Sequence, residues 1–106
     1  MIVKPSQVEA AIAFMDGDHA AEIHYRASMA RIEREEAEAE AFAGFNDGSV
    51  EERKRRARLA PRVMELARAE ALAEAEVRRL RTKMEKAAAI IELFRTESAN
   101  AREGVL

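Results

Sequence analysis

Residues 63–94, VMELARAEALAEAEVRRLRTKMEKAAAIIELF, decide the fold. Counted in sevens, Val63, Glu70, Val77, Met84 and Ile91 fall at position a, and Leu66, Ala73, Leu80, Ala87 and Phe94 at position d. Only Glu70 among them is polar. A repeat this regular lays one apolar stripe along a long helix, the pattern of a coiled-coil seam. A polar residue at a sets register and oligomer state at some cost in stability. Alternatively, Glu70 marks where a second helix of the same chain packs.

Upstream, helical residues extend back to Ser49, interrupted only by Pro61. A proline inside a helix removes a ladder bond and clashes with the preceding turn. Charge and alanine content continue unbroken across it, which favours a kink near Leu59–Arg62 over a break. Ser49 and Glu52 fit a capping box. A helix from Ser49 to Arg102 would span roughly 80 Å if straight.

The stretch FNDGS at 45–49 is the strongest turn signal in the chain. Before it, a second helix is predicted over His19–Ala43, with Gly44 suited to the position after its end. A first, short helix opens near Pro5, where Ser6 and Glu9 also fit a capping box. It stops before the Asp16-Gly17-Asp18 break. The segments are thus 1–17, 18–44 and 49–103 within one domain.

Composition agrees with long helices rather than a thick globular core. Of the 106 residues 48% are apolar, but 23 residues are alanine, which buries little area. Charged residues make up 36%, and Ala, Glu, Arg and Leu dominate, as in helices packed side by side. No apolar run approaches the ~20 residues of a membrane span, and the N-terminus lacks the pattern of a signal peptide. A soluble, cytoplasmic protein is expected.

The second helix is about half as long as the third. Its stripe of Tyr25, Ile32 and Ala39, flanked by Met29 and Phe42, gives a partial partner. Ile23, Ala30 and Ala37 form a neighbouring face. Folded back as an antiparallel hairpin, it reaches the region of Met64–Ala73. The seam from Val77 to Phe94 is then uncovered unless the first helix returns there. A long bare apolar stripe is rare on monomers. Self-association through Val77, Leu80, Met84, Ile91 and Phe94 is therefore expected. The expected fold is all-α: a helical hairpin with a long, Pro-kinked coiled-coil helix and a short N-terminal helix, assembled as an oligomer.

Two basic clusters stand out. Arg53, Lys54, Arg55, Arg56 and Arg58 face an acidic run, Glu33–Glu40, across the turn. A hairpin pivoting there brings Glu36 and Glu38 beside Arg56 and Arg58, and Glu40 opposite Arg53 or Lys54. The run is either an internal charge match that fixes register or a hand for nucleic acid. The second cluster, Arg78, Arg79, Arg81, Lys83 and Lys86, is less neutralised. Arg81, Arg95 and Arg102 share one edge of the helix at multiples of seven. Candidate nucleic-acid contacts are Arg53, Lys54, Arg55, Arg78, Arg81, Arg95 and Arg102. The same charges could pair with Glu74 and Glu76 across a subunit interface. Net charge is −2, with no Trp and one Tyr, so any binding would be local, backbone-directed and salt-sensitive.

Enzymatic chemistry finds no support. Without cysteine there are no disulfides, thiolate metal sites or thiol nucleophiles. His19 and His24 are five apart, which a straight helix places on different faces. No phosphate loop or nucleophile–base set occurs. No cofactor, metal or catalytic residue is expected.

The segments YRASMARIEREEAEAEAFAGF, GSVEERKRRA and AAAIIELFRTESANAREG resemble small phage and prophage α-helical recombination-accessory proteins. These are similar in style to mediators that assemble into rings and load a recombinase on single-stranded DNA. The resemblance lies in general layout and in the pattern from Ile91 to Arg102. It implies a bacterial host cell, oligomerisation, and contact of Arg95 and Arg102 with single-stranded DNA. The expected role is non-enzymatic assistance to phage DNA recombination or replication. The alternative is an inhibitor or adaptor that docks on a phage or host protein without touching nucleic acid.

Overall fold

The computed structural model describes residues 2–104, and these are all-helical apart from short connections. Four helices follow in order: α1 Pro5–Asp16, α2 His19–Ala43, α3 Val50–Leu59 and α4 Pro61–Arg102. The long third helix expected from the sequence is two helices. Ala60 between them is extended, with φ −61° and ψ 136°. Steric conflict with a proline ring pushes the preceding residue out of the helical region. Pro61 therefore breaks the path and then opens α4, where its missing N–H costs nothing. Leu59, which continues the seam in sequence, lies beyond the break and is exposed.

Local capping explains the other boundaries. Ser49 Oγ accepts a 3.1 Å hydrogen bond from the Glu52 N–H, starting α3. The Glu52 carboxylate turns instead to Arg56, at 3.1 Å, so the box is half made. Gly48 sits at φ 93°, where a side chain is disfavoured. At α1 the cap moves upstream of the Ser6–Glu9 pair. Lys4 is the N-cap residue, its N–H donates to Gln7 Oε1 at 2.8 Å, and Pro5 takes the first helical position.

The chain forms two compact units. One comprises the residues up to Ala21 together with those from Arg78 onward; the other is Glu22–Val77. In the first unit α1 lies along the second part of α4. The Val3 N–H donates to Glu97 Oε2 at 2.9 Å, while Ala11 and Phe14 line a groove with Lys83, Ala87 and Ile90. The buried residues here are Val3, Val8, Ala11, Leu80 and Ala87. The first helix does return to the seam. Leu80 is 4% exposed, and Met84, Ile91 and Phe94 are half-buried. Leu80, one of the residues of the expected oligomer interface, is thus buried within its own chain.

In the Glu22–Val77 unit the buried residues are Ile23, Ala57, Val63 and Leu66. Val77 is half-buried. Every a and d position from Val63 to Phe94 is buried or half-buried, so the heptad marks the inner face of α4 throughout. On α2 the inner face is the set containing Ile23, Ala30 and Ala37. Tyr25 and Ile32 look outward, with Tyr25 65% exposed. The Tyr25–Ile32–Ala39 stripe expected to close on α3 and α4 is the outer one. Glu70 meets Arg34 of α2: Nε donates to Oε1 at 3.0 Å and Nη2 to Oε2 at 3.2 Å. Arg34 also holds Glu38 at 3.0 Å. The polar a position belongs to a contact within the chain.

Candidate nucleic-acid interface

The helix period decides where each cation points, and the packing decides which are engaged. The basic run on α3 is largely engaged inside the Glu22–Val77 unit. The Arg53 guanidinium lies over the Phe42 ring, 5.2 Å from its centre, and Arg56 over Phe45 at 5.8 Å. Cation–π contacts of this kind contribute about 0.5–1 kcal/mol at exposed sites, more when desolvated. Arg56 also reaches Asp47 at 3.4 Å and Glu52 at 3.1 Å. Lys54 pairs with Glu51 at 3.9 Å, and Arg58 with Glu38 at 3.8 Å. Arg55 is exposed and makes no ion pair among the described residues.

These contacts refine the charge match. Glu38 with Arg58 is as expected. Arg56 turns to the turn acid Asp47 rather than to Glu36. Glu40 was expected opposite Arg53 or Lys54; Arg53 faces an aromatic ring and Lys54 pairs with Glu51. The ring wins because a guanidinium is weakly hydrated and stacks well on aromatic faces. Arg53 is half-buried, and its Nε finds no hydrogen-bond acceptor among the described residues. Of the three candidates on α3, Arg53 and Lys54 are engaged, and Arg55 makes no such contact among the described residues.

Arg34, which shares Glu38 with Arg58, has its pKa raised by the Glu70 hydrogen bond, with burial opposing and Glu38 adding. It therefore stays charged throughout the working pH range.

The second cluster is the reverse case. Arg78, Arg79, Arg81, Lys83 and Lys86 are all exposed, and none makes an ion pair among the described residues. Only Glu85 interrupts them with a negative charge. The inner face of α4 in this stretch is filled by Leu80, Met84 and Ala87, so these five side chains are forced outward. Arg79, Lys83 and Lys86 stand at i, i+4 and i+7, which places them on one face. They span about 10 Å of helix axis. Arg81, Arg95 and Arg102 run along another edge of α4. Arg95 is 3.8 Å from Glu92, a highly exposed pair of little strength. Arg102 is exposed and unpaired among the described residues.

One element of this surface has no linear signature. The groove between α1 and α4 has a volume of about 330 Å³ and is lined by Gln7, Ala10, Ala11, Phe14, Lys83, Lys86, Ala87 and Ile90. The chain contains no stretch where aromatics alternate with cations, yet folding sets Phe14 beside Lys83 and Lys86. A single sequence carries no periodic trace of a pairing between residues some seventy positions apart.

No family model, curated protein or solved structure matches this chain. Among the described residues there is no grouping of three or more His, Asp or Glu able to hold a metal. No helix among them is long and apolar enough to cross a membrane.

Proposed function

We propose that this protein is a non-enzymatic helical accessory factor that binds the backbone of nucleic acid through α4. The reading rests on one observation: Arg78, Arg79, Arg81, Lys83 and Lys86 are exposed and make no ion pair among the described residues, whereas the α3 run is mostly engaged. Unpaired cations in a row attract a polyanion and release its counterions on binding. Net charge of −2 means the attraction is confined to this band. The resemblance to phage recombination-accessory proteins suggests single-stranded DNA in a bacterial host cell as the setting. In this reading α2 closes on α3 and the start of α4 as a helical hairpin that acts as scaffold.

Fluorescence anisotropy with a labelled oligonucleotide tests the proposal. Binding should be clear at low salt and fall steeply as salt rises. Arg78→Gln with Arg79→Gln and Arg81→Gln should weaken it strongly, while Lys54→Gln with Arg55→Gln changes it little. No binding at low salt would remove the reading.

A second reading is protein docking. It is favoured by Leu72 and Tyr25, which are 69% and 65% exposed on the Glu22–Val77 unit. Exposed apolar groups of this size suit contact with a protein partner or a second copy. Light scattering separates these: a stable 11.9 kDa species at micromolar concentration would exclude the second copy.

A further inference from the structure

We infer that the groove between α1 and α4 takes one unpaired nucleobase, whose flanking phosphates lie on Lys83 and Lys86. This rests on the polyanion reading of α4 and adds a site to it.

The groove combines three features that a base with its phosphates would use. Phe14, Ala10, Ala11, Ala87 and Ile90 give it apolar walls, and Phe14 supplies an aromatic ring. Lys83 and Lys86 stand at its edge as exposed cations with no ion pair among the described residues. Arg79, one turn before Lys83, extends the same face, so a strand leaving the groove meets a further positive charge. Gln7 supplies the polar recognition group. Its Oε1 accepts the Lys4 N–H, which leaves the amide Nε2 hydrogens to donate toward a base carbonyl. A thymine or guanine edge offers such an acceptor.

The volume of about 330 Å³ sits at the small end of ligand sites, which suits a planar group rather than a folded partner. Bases in a duplex are stacked and paired, so only a single strand can place one here. Stacking on an aromatic is sequence-tolerant, and the Gln7 donor biases the choice toward carbonyl-bearing bases.

The test compares two labelled strands of equal length and charge, oligothymidine and an abasic phosphodiester, at low salt. Oligothymidine should bind tighter by on the order of fivefold to a hundredfold, the effect of one stacked base. Phe14→Leu should remove that difference while leaving the abasic affinity unchanged. Ala10→Leu, at an exposed helical position, should plug the groove with the same result and keeps the Phe14 packing. Lys83→Gln with Lys86→Gln should weaken both strands. Circular dichroism confirms that each variant is folded. Equal affinity for the two strands would overturn the base site and leave backbone binding intact. Binding of neither would fail the backbone reading instead. Competition by free thymidine monophosphate as effective as that by the strand would also overturn the assignment, since the phosphates along α4 would then add nothing.

Discussion

Arg34 on α2 grips Glu70 on α4 through two parallel hydrogen bonds, 3.0 and 3.2 Å long. The carboxylate side chain is 14% exposed and the guanidinium 25%. A fork of this geometry adds directional specificity to charge attraction. It explains how a glutamate occupies a seam position otherwise reserved for apolar residues.

Removing either partner should therefore be costly. Arg34→Ala or Glu70→Ala should each destabilise by about 2 kcal/mol, because the remaining half-buried charge loses its partner. Replacing both by leucine should restore most of the loss, as apolar pairs often substitute for half-buried ion pairs. A urea-unfolding double-mutant cycle measures this. Additive single effects would show that the two groups act independently.

The raised pKa of Arg34 has a testable sign. Stability from a group with an elevated folded pKa is present at lower pH and lost only as pH climbs through that folded value. For Arg34 that loss falls beyond the alkaline range, so the Arg34 contribution should stay constant from about pH 7 to 10. Arg34→Lys replaces the fork by a single point charge that titrates lower. It should lose stability already at neutral pH, by an amount that stays nearly constant to pH 10, because a lysine beside Glu70 also keeps its charge across that range. Urea midpoints across this range decide the matter.

Leu80 anchors the unit formed by α1 and the second part of α4. Leu80→Ala should cost about 2–4 kcal/mol, the range for truncating a buried leucine. Leu80→Glu should unfold that unit, since a lone carboxylate there would be buried. Thermal unfolding followed by circular dichroism reports both. If Leu80→Glu leaves stability unchanged and only lowers mass in solution, the residue works between subunits instead.

Ala57 is completely buried at the contact of α3 with its neighbours. Ala57→Leu should overpack the site and cost about 1–3 kcal/mol. Urea unfolding of the variant against the parent protein measures the cost.

The salt dependence of DNA binding should count the cations involved. With the five exposed cations from Arg78 to Lys86 engaged, the slope of log affinity against log salt on a single strand should be about −3.5. Charge-neutralising Arg95 and Arg102 should leave the slope nearly unchanged. A change of about 1.4, the value for two fully engaged charges, would bring the end of α4 into the contact.

How much of this was legible beforehand follows from the range of each interaction. The ends of α2, the turn at Gly48 and the Ser49 cap come from bonds between residues a few positions apart, and the sequence displays them. The inner face of α4 is equally visible, because burial against any partner demands the same heptad. The break before Pro61 was open to detection from the proline's effect on Ala60, though continuing composition argued for a kink. The α1 cap lies two residues before Ser6 because Pro5 favours the first helical position over any cap chemistry downstream.

What covers the seam is a different kind of fact. Residues of one chain or of a second copy satisfy an apolar stripe equally well, so periodicity says only that something must. Tertiary structure settled that α1 lies on the stretch around Ala87, that Ile23 rather than Tyr25 faces inward, and that Arg53 rests on Phe42. Each is a choice among faces whose side chains are chemically similar, and such choices turn on packing across long separations. The amino-acid order by itself determined the helices and their greasy edges; which cations were left exposed was decided only when those edges met.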